Sequence, residues 1–91
     1  MTKTIWKFEL KPQDEQIVNM PSGARILTAQ MQNAKLCLWA LVEATNPKEE
    51  RIIRIHGTGH IVPNDNELKY ISSVQMENGT LVFHVFERLK V

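Results

Sequence analysis

The sequence of 91 residues contains a single cysteine, and this scarcity excludes disulfide-stapled small domains. One thiol cannot form an internal disulfide, so we expect a fold that does not depend on an oxidising compartment. Because Cys37 lies in the apolar stretch 36–42, we interpret it as a small buried hydrophobic residue rather than a reactive thiol, which would need an electropositive, open site.

Long hydrophobic runs and an excess of charge of one sign are also missing. No apolar stretch approaches the roughly 20 residues that cross a bilayer, and the first residues lack the apolar core of a signal peptide. We therefore predict no membrane association and a place in the cytoplasm. With 11 basic and 10 acidic residues, the net charge of +1 disfavours duplex nucleic acid as a partner. A small anionic ligand needs only a few local donors and is not excluded.

What the chain does contain is a series of strand signals, without a sustained 3.6-residue apolar period. We predict one domain spanning 1–91, an all-β, small, single-domain antiparallel β-sandwich or barrel of about seven strands. So small a domain has a thin core, and pairing with a second copy would help it. The predicted strands are 4–10, 16–20, 25–32, 35–43, 51–56, 69–77 and 80–87.

Alternation within these strands predicts which side chains share a face. Trp6, Phe8 and Leu10 should point to one side of the first strand. The fourth strand, 35–43, is apolar on both faces and should therefore be central. In the third strand, one face should carry Leu27, Ala29 and Met31.

Turns are predicted from their residue types. Pro21 to Ala24 reads as a tight turn in which Gly23 can take a positive φ. The acidic and basic residues 48–50 read as a solvated loop. Asn78 and Gly79 form a two-residue hairpin signal, because both positions favour positive φ.

The stretch 54–60 is the most informative for chemistry. Two glycines around a threonine allow a sharp bend whose backbone N–H groups can converge on an anion, and the segment opens a long irregular loop. The alternative is a plain strand-to-loop transition in which the glycines serve geometry only. The first interpretation predicts a ligand-binding loop that contains Arg54, His56, Gly57, Thr58, Gly59 and His60.

Other residues are weaker candidates. Trp39 could stack on a nucleobase, and Arg25 could place a planar cation at a loop rim. The third histidine, His84, reads as a half-buried or interface residue. His56 and His60 have the spacing of a metal-binding pair on a helix, but the glycines between them break a helix. We therefore predict no metal site and no cofactor. Neither the loop acids nor the serines occur in a catalytic pattern, so we predict a protein that is not an enzyme.

Several motifs, taken in order, resemble a widespread family of short phage and prophage proteins. They are K-T-I-W-K-F at 3–8, M-P-x-G-A at 20–24, Q-N at 32–33, C-L-W-A-L-V at 37–42, G-T-G-H at 57–60 and L-V-F-H-V-F-E at 81–87. The similarity covers nearly the whole chain and is specific as a set.

This resemblance implies a function that the strand pattern does not show. The family is expected to include phage anti-CBASS sponge proteins, which capture cyclic dinucleotides such as 3′,3′-cGAMP in the host bacterial cytoplasm. A sponge needs affinity without chemistry, and a nearly symmetric ligand suits a homodimer or higher homo-oligomer. The alternative is a phage or prophage structural or protein-interaction accessory protein with no small-molecule ligand, which would use an exposed strand edge or apolar patch.

Overall fold

A computed structural model describes residues 2–89, which form strands joined by turns and by one longer segment, 58–67. Two 3₁₀ turns, Asp65–Glu67 and Glu77–Gly79, precede the last two strands. The all-β prediction is confirmed. The seven strands are β1 (Lys3–Glu9), β2 (Glu15–Pro21), β3 (Arg25–Gln32), β4 (Lys35–Glu43), β5 (Lys48–Gly57), β6 (Leu68–Met76) and β7 (Leu81–Arg88).

The strands form two antiparallel sheets that share one hydrophobic core. Sheet A has the order β1-β4-β3, and sheet B has the order β2-β5-β7-β6. Apolar side chains of both sheets meet in the core and exclude water from it, which is the main favourable contribution to a fold of this size. The buried core residues are Leu10, Val18, Met20, Ala24, Ala29, Leu36, Leu38, Ala40, Val42, Ile53, Ile55, Val74 and Val85.

The position of β4 follows from its composition. It lies between β1 and β3, as predicted, and four of its alternate residues, from Leu36 to Val42, point into the core. On β1, Trp6 lies opposite Ala40 and Phe8 opposite Leu38, so both aromatic rings face the same core. The prediction that Trp6, Phe8 and Leu10 share one side of the first strand is therefore confirmed, and that side faces the core.

One of the two seams between the sheets is closed. The hydroxyl of Ser72, on β6, accepts a hydrogen bond from the backbone N–H of Ala29 at 2.9 Å and lies 3.0 Å from the hydroxyl of Thr28. Ser72 is buried, and it sits where the register of β6 shifts against β7. A β-bulge thus aims a side chain at β3 and joins the outermost strands of the two sheets.

The other seam is open. The strands β1 and β2 are the remaining outer strands, and a groove of about 710 Å³ separates residues 7–9 from residues 15–19. At its narrow end, the side chain of Gln16 accepts from the backbone N–H of Lys11 and donates to its carbonyl, at 2.9 and 2.8 Å. We call this groove the open seam.

Two local predictions are wrong. Residues 48–50 are not a loop but the first part of β5, because they pair with residues 19–21 of β2. On β3, the register shifts between Ile26 and Thr28, so Leu27 turns outward and is 40% exposed while Ala29 is buried. Both errors concern pairing across the sheet, which single-strand patterns do not encode.

The hairpin between β6 and β7 also differs from the prediction. Asn78 and Gly79 have the expected positive φ values of 55° and 89°, but Glu77 adopts φ 53° as well. Because Met76 pairs with Leu81, the loop has four residues rather than two. A two-residue turn instead connects β3 to β4 at Asn33–Ala34, between the paired Gln32 and Lys35.

A mostly buried ion pair joins β5 to β7 within sheet B. Arg51 Nη2 donates to Glu87 Oε1 at 3.0 Å, and Arg51 Nε contacts the other oxygen of the same carboxylate. Arg51 Nη1 also donates to the carbonyl of Ala24, just before β3, at 2.8 Å. The hydrogen bond to Glu87 raises the pKa of Arg51, against the lowering effect of burial. Within residues 2–89, no helix is long and apolar enough to cross a membrane.

Candidate functional site

The outer face of sheet B gathers rings, hydroxyls and cations on adjacent strands. The pairing register sets His56 of β5 opposite His84 of β7, and Tyr70 of β6 opposite Phe86 of β7. Alternation places their side chains away from the core, because Ile55 and Val85 point into it. We call this surface the histidine face; it comprises Arg54, His56, Thr58, Tyr70, Ser73, His84, Phe86 and Arg88.

A chain of hydrogen bonds crosses the histidine face. Tyr70 and Ser73 hydroxyls are 2.8 Å apart, Ser73 Oγ lies 2.7 Å from His84 Nδ1, and His84 Nε2 lies 2.8 Å from Thr58 Oγ1. One direction satisfies every group: each hydroxyl donates onward, and a neutral His84 donates from Nε2 to Thr58. The chain is solvent-exposed, so a ligand with donors and acceptors can replace its links.

Aromatic rings lie beside this chain. The ring of Phe86 is in edge contact with His56 on one side and Tyr70 on the other, at centroid separations of 5.8 and 5.7 Å. Tyr70 is 57% exposed. A planar group can therefore stack on Tyr70 without displacing the core.

The two arginines of the histidine face lie close to the same carboxylate, that of Glu15. Arg54 and Arg88 both approach Glu15 Oε1 at 3.5 Å, and Arg88 also approaches Glu67 at 3.8 Å. Arg54 is only 8% exposed, and its ion pair is long for a buried guanidinium. The two guanidinium groups share one half-exposed carboxylate, which leaves donors for an anion at this edge of the face.

His56 is a buried titratable residue of the histidine face. Its side chain is buried, and Nε2 has no hydrogen-bond partner within residues 2–89. Burial lowers the pKa of His56, and the positive charge of Arg54 lowers it further, while Asp14 opposes the shift. The imidazole is therefore neutral in the folded protein at neutral pH.

This lowered pKa predicts a loss of stability in mild acid. Unfolding returns His56 to its ordinary pKa of 6.5, so below that pH the unfolded chain binds a proton that the native chain does not. We expect the free energy of unfolding to fall as the pH drops below 6.5, and His56→Gln to reduce that slope. Urea unfolding from about pH 8 to about pH 5 measures it. Equal slopes in both proteins would contradict this account of His56.

The glycine-rich turn at residues 57–60 lies between the histidine face and one end of the sandwich. Thr58 projects to the histidine face, whereas the ring of His60 folds back on Gly57, where an added Cβ would meet it at 2.8 Å. Gly59 has φ +88°, which an L side chain rarely adopts. His56 and His60 therefore lie on different sides of the strand end.

A pocket of about 300 Å³ lies beside His60, between the two sheets. We call it the mouth pocket. Its wall is largely apolar, and its polar groups come from Glu9, Gln13, Asp14, Lys35 and His60. The walls include Leu10, Leu36, Ile55, Met76 and Phe83. This volume is at the lower end of the range of small-molecule sites, about 300–1,000 Å³.

The structure brings together only part of the predicted set. Arg54, His56 and Thr58 share the histidine face, and Gly57, Gly59 and His60 form the turn beside it. Trp39 is half-buried on sheet A, between Lys7 and Thr28 on the flanking strands. Arg25 lies on sheet A as well, where it lines a cavity at the closed seam together with Tyr70.

Residues of β6 and β7 that complete the face were not predicted as site residues. His84 was interpreted as a half-buried or interface residue. The alternation of β7 carried a usable signal, since every second residue from His84 to Arg88 is polar or aromatic, whereas Leu81, Phe83 and Val85 form an apolar series on the other side. The missed residues are Tyr70, Ser73, His84, Phe86 and Arg88.

The contact of Ser73 with His84 resembles a nucleophile and its base, as does that of Thr58 with the same ring. Both sides of the imidazole, however, contact hydroxyls rather than a carboxylate that would orient it. Among residues 2–89, no group of three or more His, Cys, Asp or Glu side chains is placed to hold a metal ion.

Comparison with known proteins gives a family and no further relative. No curated protein and no solved structure matches the chain. A family model described as a domain of unknown function, DUF7352, matches residues 1–91. The chain therefore belongs to the DUF7352 family.

Proposed function

We propose that this protein is a non-catalytic, phage-type binding protein that sequesters a cyclic dinucleotide signal such as 3′,3′-cGAMP. The observation that carries the proposal is the histidine face, where an exposed ring, a chain of hydroxyl and imidazole groups, and two guanidinium groups share one side of a four-stranded sheet. Nucleotides need these three kinds of contact: a surface for stacking, partners for base edges, and cations for phosphate.

Stacking comes from Tyr70, which is exposed and held by contact with Phe86. Base stacking on an aromatic side chain is worth about 1–3 kcal/mol by alanine substitution and tolerates any base. The neighbouring hydroxyl of Ser73 and the imidazole of His84 can pair with base edges, since each can act as donor or acceptor. The face thus supports ring binding with polar selectivity.

Phosphate binding is supported by the shared carboxylate. A phosphate at Arg54 and Arg88 would compete with Glu15, whose oxygen is 3.5 Å from both guanidinium groups. Arginine binds phosphate in a bidentate manner, and the partial burial of Arg54 strengthens such a contact. A single phosphate at this edge is compatible with the near-neutral charge of the chain.

The mouth pocket supports a second ring position. Gly57 lines the pocket and Thr58 belongs to the histidine face, so the two surfaces meet at consecutive residues. The pocket has twice the volume of a cavity of about 150 Å³ that holds benzene. It therefore suits one base rather than a whole dinucleotide.

Sequestration requires the ligand to be released unchanged. The contacts of His84 support a site that leaves its ligand uncleaved, because both ring nitrogens face hydroxyl groups rather than a carboxylate that would orient the ring as a base. A symmetric ligand would suit a homodimer, and the host bacterial cytoplasm is the compartment in which such a signal would be captured.

A thermal-shift experiment tests the proposal. The purified protein is heated with 3′,3′-cGAMP, other cyclic dinucleotides, linear dinucleotides, mononucleotides or divalent metals. A ligand at a hundredfold its dissociation constant adds about 2.7 kcal/mol, so we expect Tm to rise on the order of 10 °C with a cyclic dinucleotide. Ligand recovered after heat denaturation should be intact. An unchanged Tm with every cyclic dinucleotide would refute the proposal, and recovery of a cleaved product would instead indicate an enzyme.

A second candidate function is a phage or prophage structural or protein-interaction accessory protein. The open seam favours it, because the free edges of β1 and β2 can accept a strand from another chain. A stoichiometric protein partner that protects this seam from hydrogen exchange, with no nucleotide retained, would support this function over sequestration.

A further inference from the structure

The free edge of β1 offers backbone hydrogen-bonding groups along seven residues. On its other edge, Lys3–Glu9 pairs fully with β4, so alternate N–H and C=O groups point toward the open seam. The equivalent outer strands β3 and β6 are joined through Ser72. The fold therefore closes one seam with its own residues and leaves the other available to a strand from outside.

The sequence of β1 is complementary to itself when read in the opposite direction. An antiparallel pairing of two copies centred on Trp6 sets Lys3 opposite Glu9 of the second copy, and Ile5 opposite Lys7 of the second copy. The central residue keeps its side chain on the core side, and the four outer residues stay on the solvent side. Two-fold symmetry makes the oppositely charged pair occur twice.

The side chains that would meet are accessible. Ile5 is 55% exposed on the solvent side of β1, and the side chain of Glu9 is 57% exposed. Glu9 approaches Lys35 of the same chain at 3.5 Å, a surface contact that a second cation can share. All four solvent-side residues of β1, at positions 3, 5, 7 and 9, are exposed.

The free edge of β2 is less suited to the same pairing. It contains Glu15 but no Lys or Arg, so two antiparallel copies would place no cation opposite that acid. It also ends at Pro21, which has no N–H to donate to a ladder. Between the two free edges, charge complementarity favours β1.

We propose that the protein forms a two-fold homodimer in which β1 pairs antiparallel with β1 of a second copy, centred on Trp6. Sheet A then becomes a six-stranded sheet with the order β3-β4-β1-β1-β4-β3 across the two copies. The histidine face belongs to sheet B and stays open, so the dimer holds two such faces. This assembly does not depend on the identity of any ligand bound there.

Variants that change the charges of Lys3 and Glu9 test the proposed register of the β1 pairing directly. We expect Lys3→Glu to place two acids opposite each other twice in each dimer and to weaken dimerisation at least tenfold, about 1.4 kcal/mol over two symmetric pairs. The double variant Lys3→Glu with Glu9→Lys restores opposite charges across the interface and should return the dissociation constant to within about threefold of the original. Lys69→Glu, the same change on β6, is the matched control and should leave it unchanged.

Sedimentation velocity over a concentration series gives the dissociation constant, with circular dichroism as a check on folding. A monomer at every concentration would overturn the proposal, as would a dimer whose affinity Lys3→Glu leaves unaltered. If the double variant is unfolded, Ile5→Lys and Ile5→Glu replace it. In the proposed pairing, residue 5 faces Lys7 of the second copy. Lysine at position 5 should therefore weaken the dimer, whereas glutamate should not. Equal effects of the two would also refute the β1 pairing.

Discussion

Glu87→Ala is expected to lower the free energy of unfolding by about 3–5 kcal/mol, the largest effect that we predict for a single substitution. The carboxylate of Glu87 is mostly buried and accepts two hydrogen bonds from the guanidinium of Arg51. Removing it leaves a largely buried cation whose remaining partners within residues 2–89 are the carbonyl of Ala24 and the more distant Glu49. An uncompensated buried charge is costly because water cannot solvate it.

In a domain of this size, 3 kcal/mol corresponds to a fall in Tm of roughly 12–24 °C. Urea unfolding and calorimetry of Glu87→Ala measure the two quantities. Glu50→Ala, an exposed acid on the outer side of β5, is the matched control and should change stability by less than about 0.5 kcal/mol.

A double variant separates the charge from the packing. Arg51→Met with Glu87→Leu removes both charges and keeps apolar bulk, so we expect it to be more stable than Glu87→Ala alone. If the double variant is as unstable as the single one, the ion pair acts through shape and not through the cost of an unpaired charge.

Arg54→Gln is expected to weaken the binding of 3′,3′-cGAMP roughly 30- to 160-fold, or about 2–3 kcal/mol. The guanidinium of Arg54 is buried beside Glu15. In the proposed complex it would provide charged donors to a phosphate at the edge of the histidine face. Glutamine keeps a polar side chain of moderate length but removes the charge and the bidentate geometry. Isothermal titration at fixed ionic strength gives the change in affinity.

Lys7→Gln removes the same charge from the outer side of sheet A and serves as the control. It should alter affinity by less than about threefold, because a distant exposed charge is screened by salt. Tyr70→Ala should weaken binding by about 1–3 kcal/mol through loss of stacking. If Arg54→Gln and Lys7→Gln weaken binding equally, the ligand responds to net charge alone and not to the histidine face.

The fold could be predicted from the sequence to a useful degree. Seven strands, the central position of β4 and the shared side of the aromatic residues of β1 all follow from alternation and from an apolar stretch on both faces. Errors arose where pairing with another strand decides the outcome. Residues 48–50 look solvated by composition but complete β5 against β2, and the bulge at Leu27 turns a hydrophobic residue outward.

The candidate site also has a part that the sequence predicts and a part that strand pairing decides. The stretch 54–60 was identified from residue types alone, since glycines beside hydrogen-bonding side chains indicate a bend with donors. That Arg54, His56 and Thr58 share a surface with Tyr70 and His84 depends on register, and register is a property of two strands together. Trp39 and Arg25 matched the chemistry of a ligand site but lie on the other sheet.

By itself, the sequence determined the class of this protein: a small all-β domain with one thiol, almost no net charge and a glycine-rich turn bearing hydrogen-bonding groups. These features depend on composition and on neighbours along the chain. Only the tertiary structure decided that Ser72 closes one seam while β1 and β2 leave the other open, and that rings, hydroxyls and cations from three strands meet on one face. Such arrangements come from strand order and register, which bring together residues that are distant along the chain.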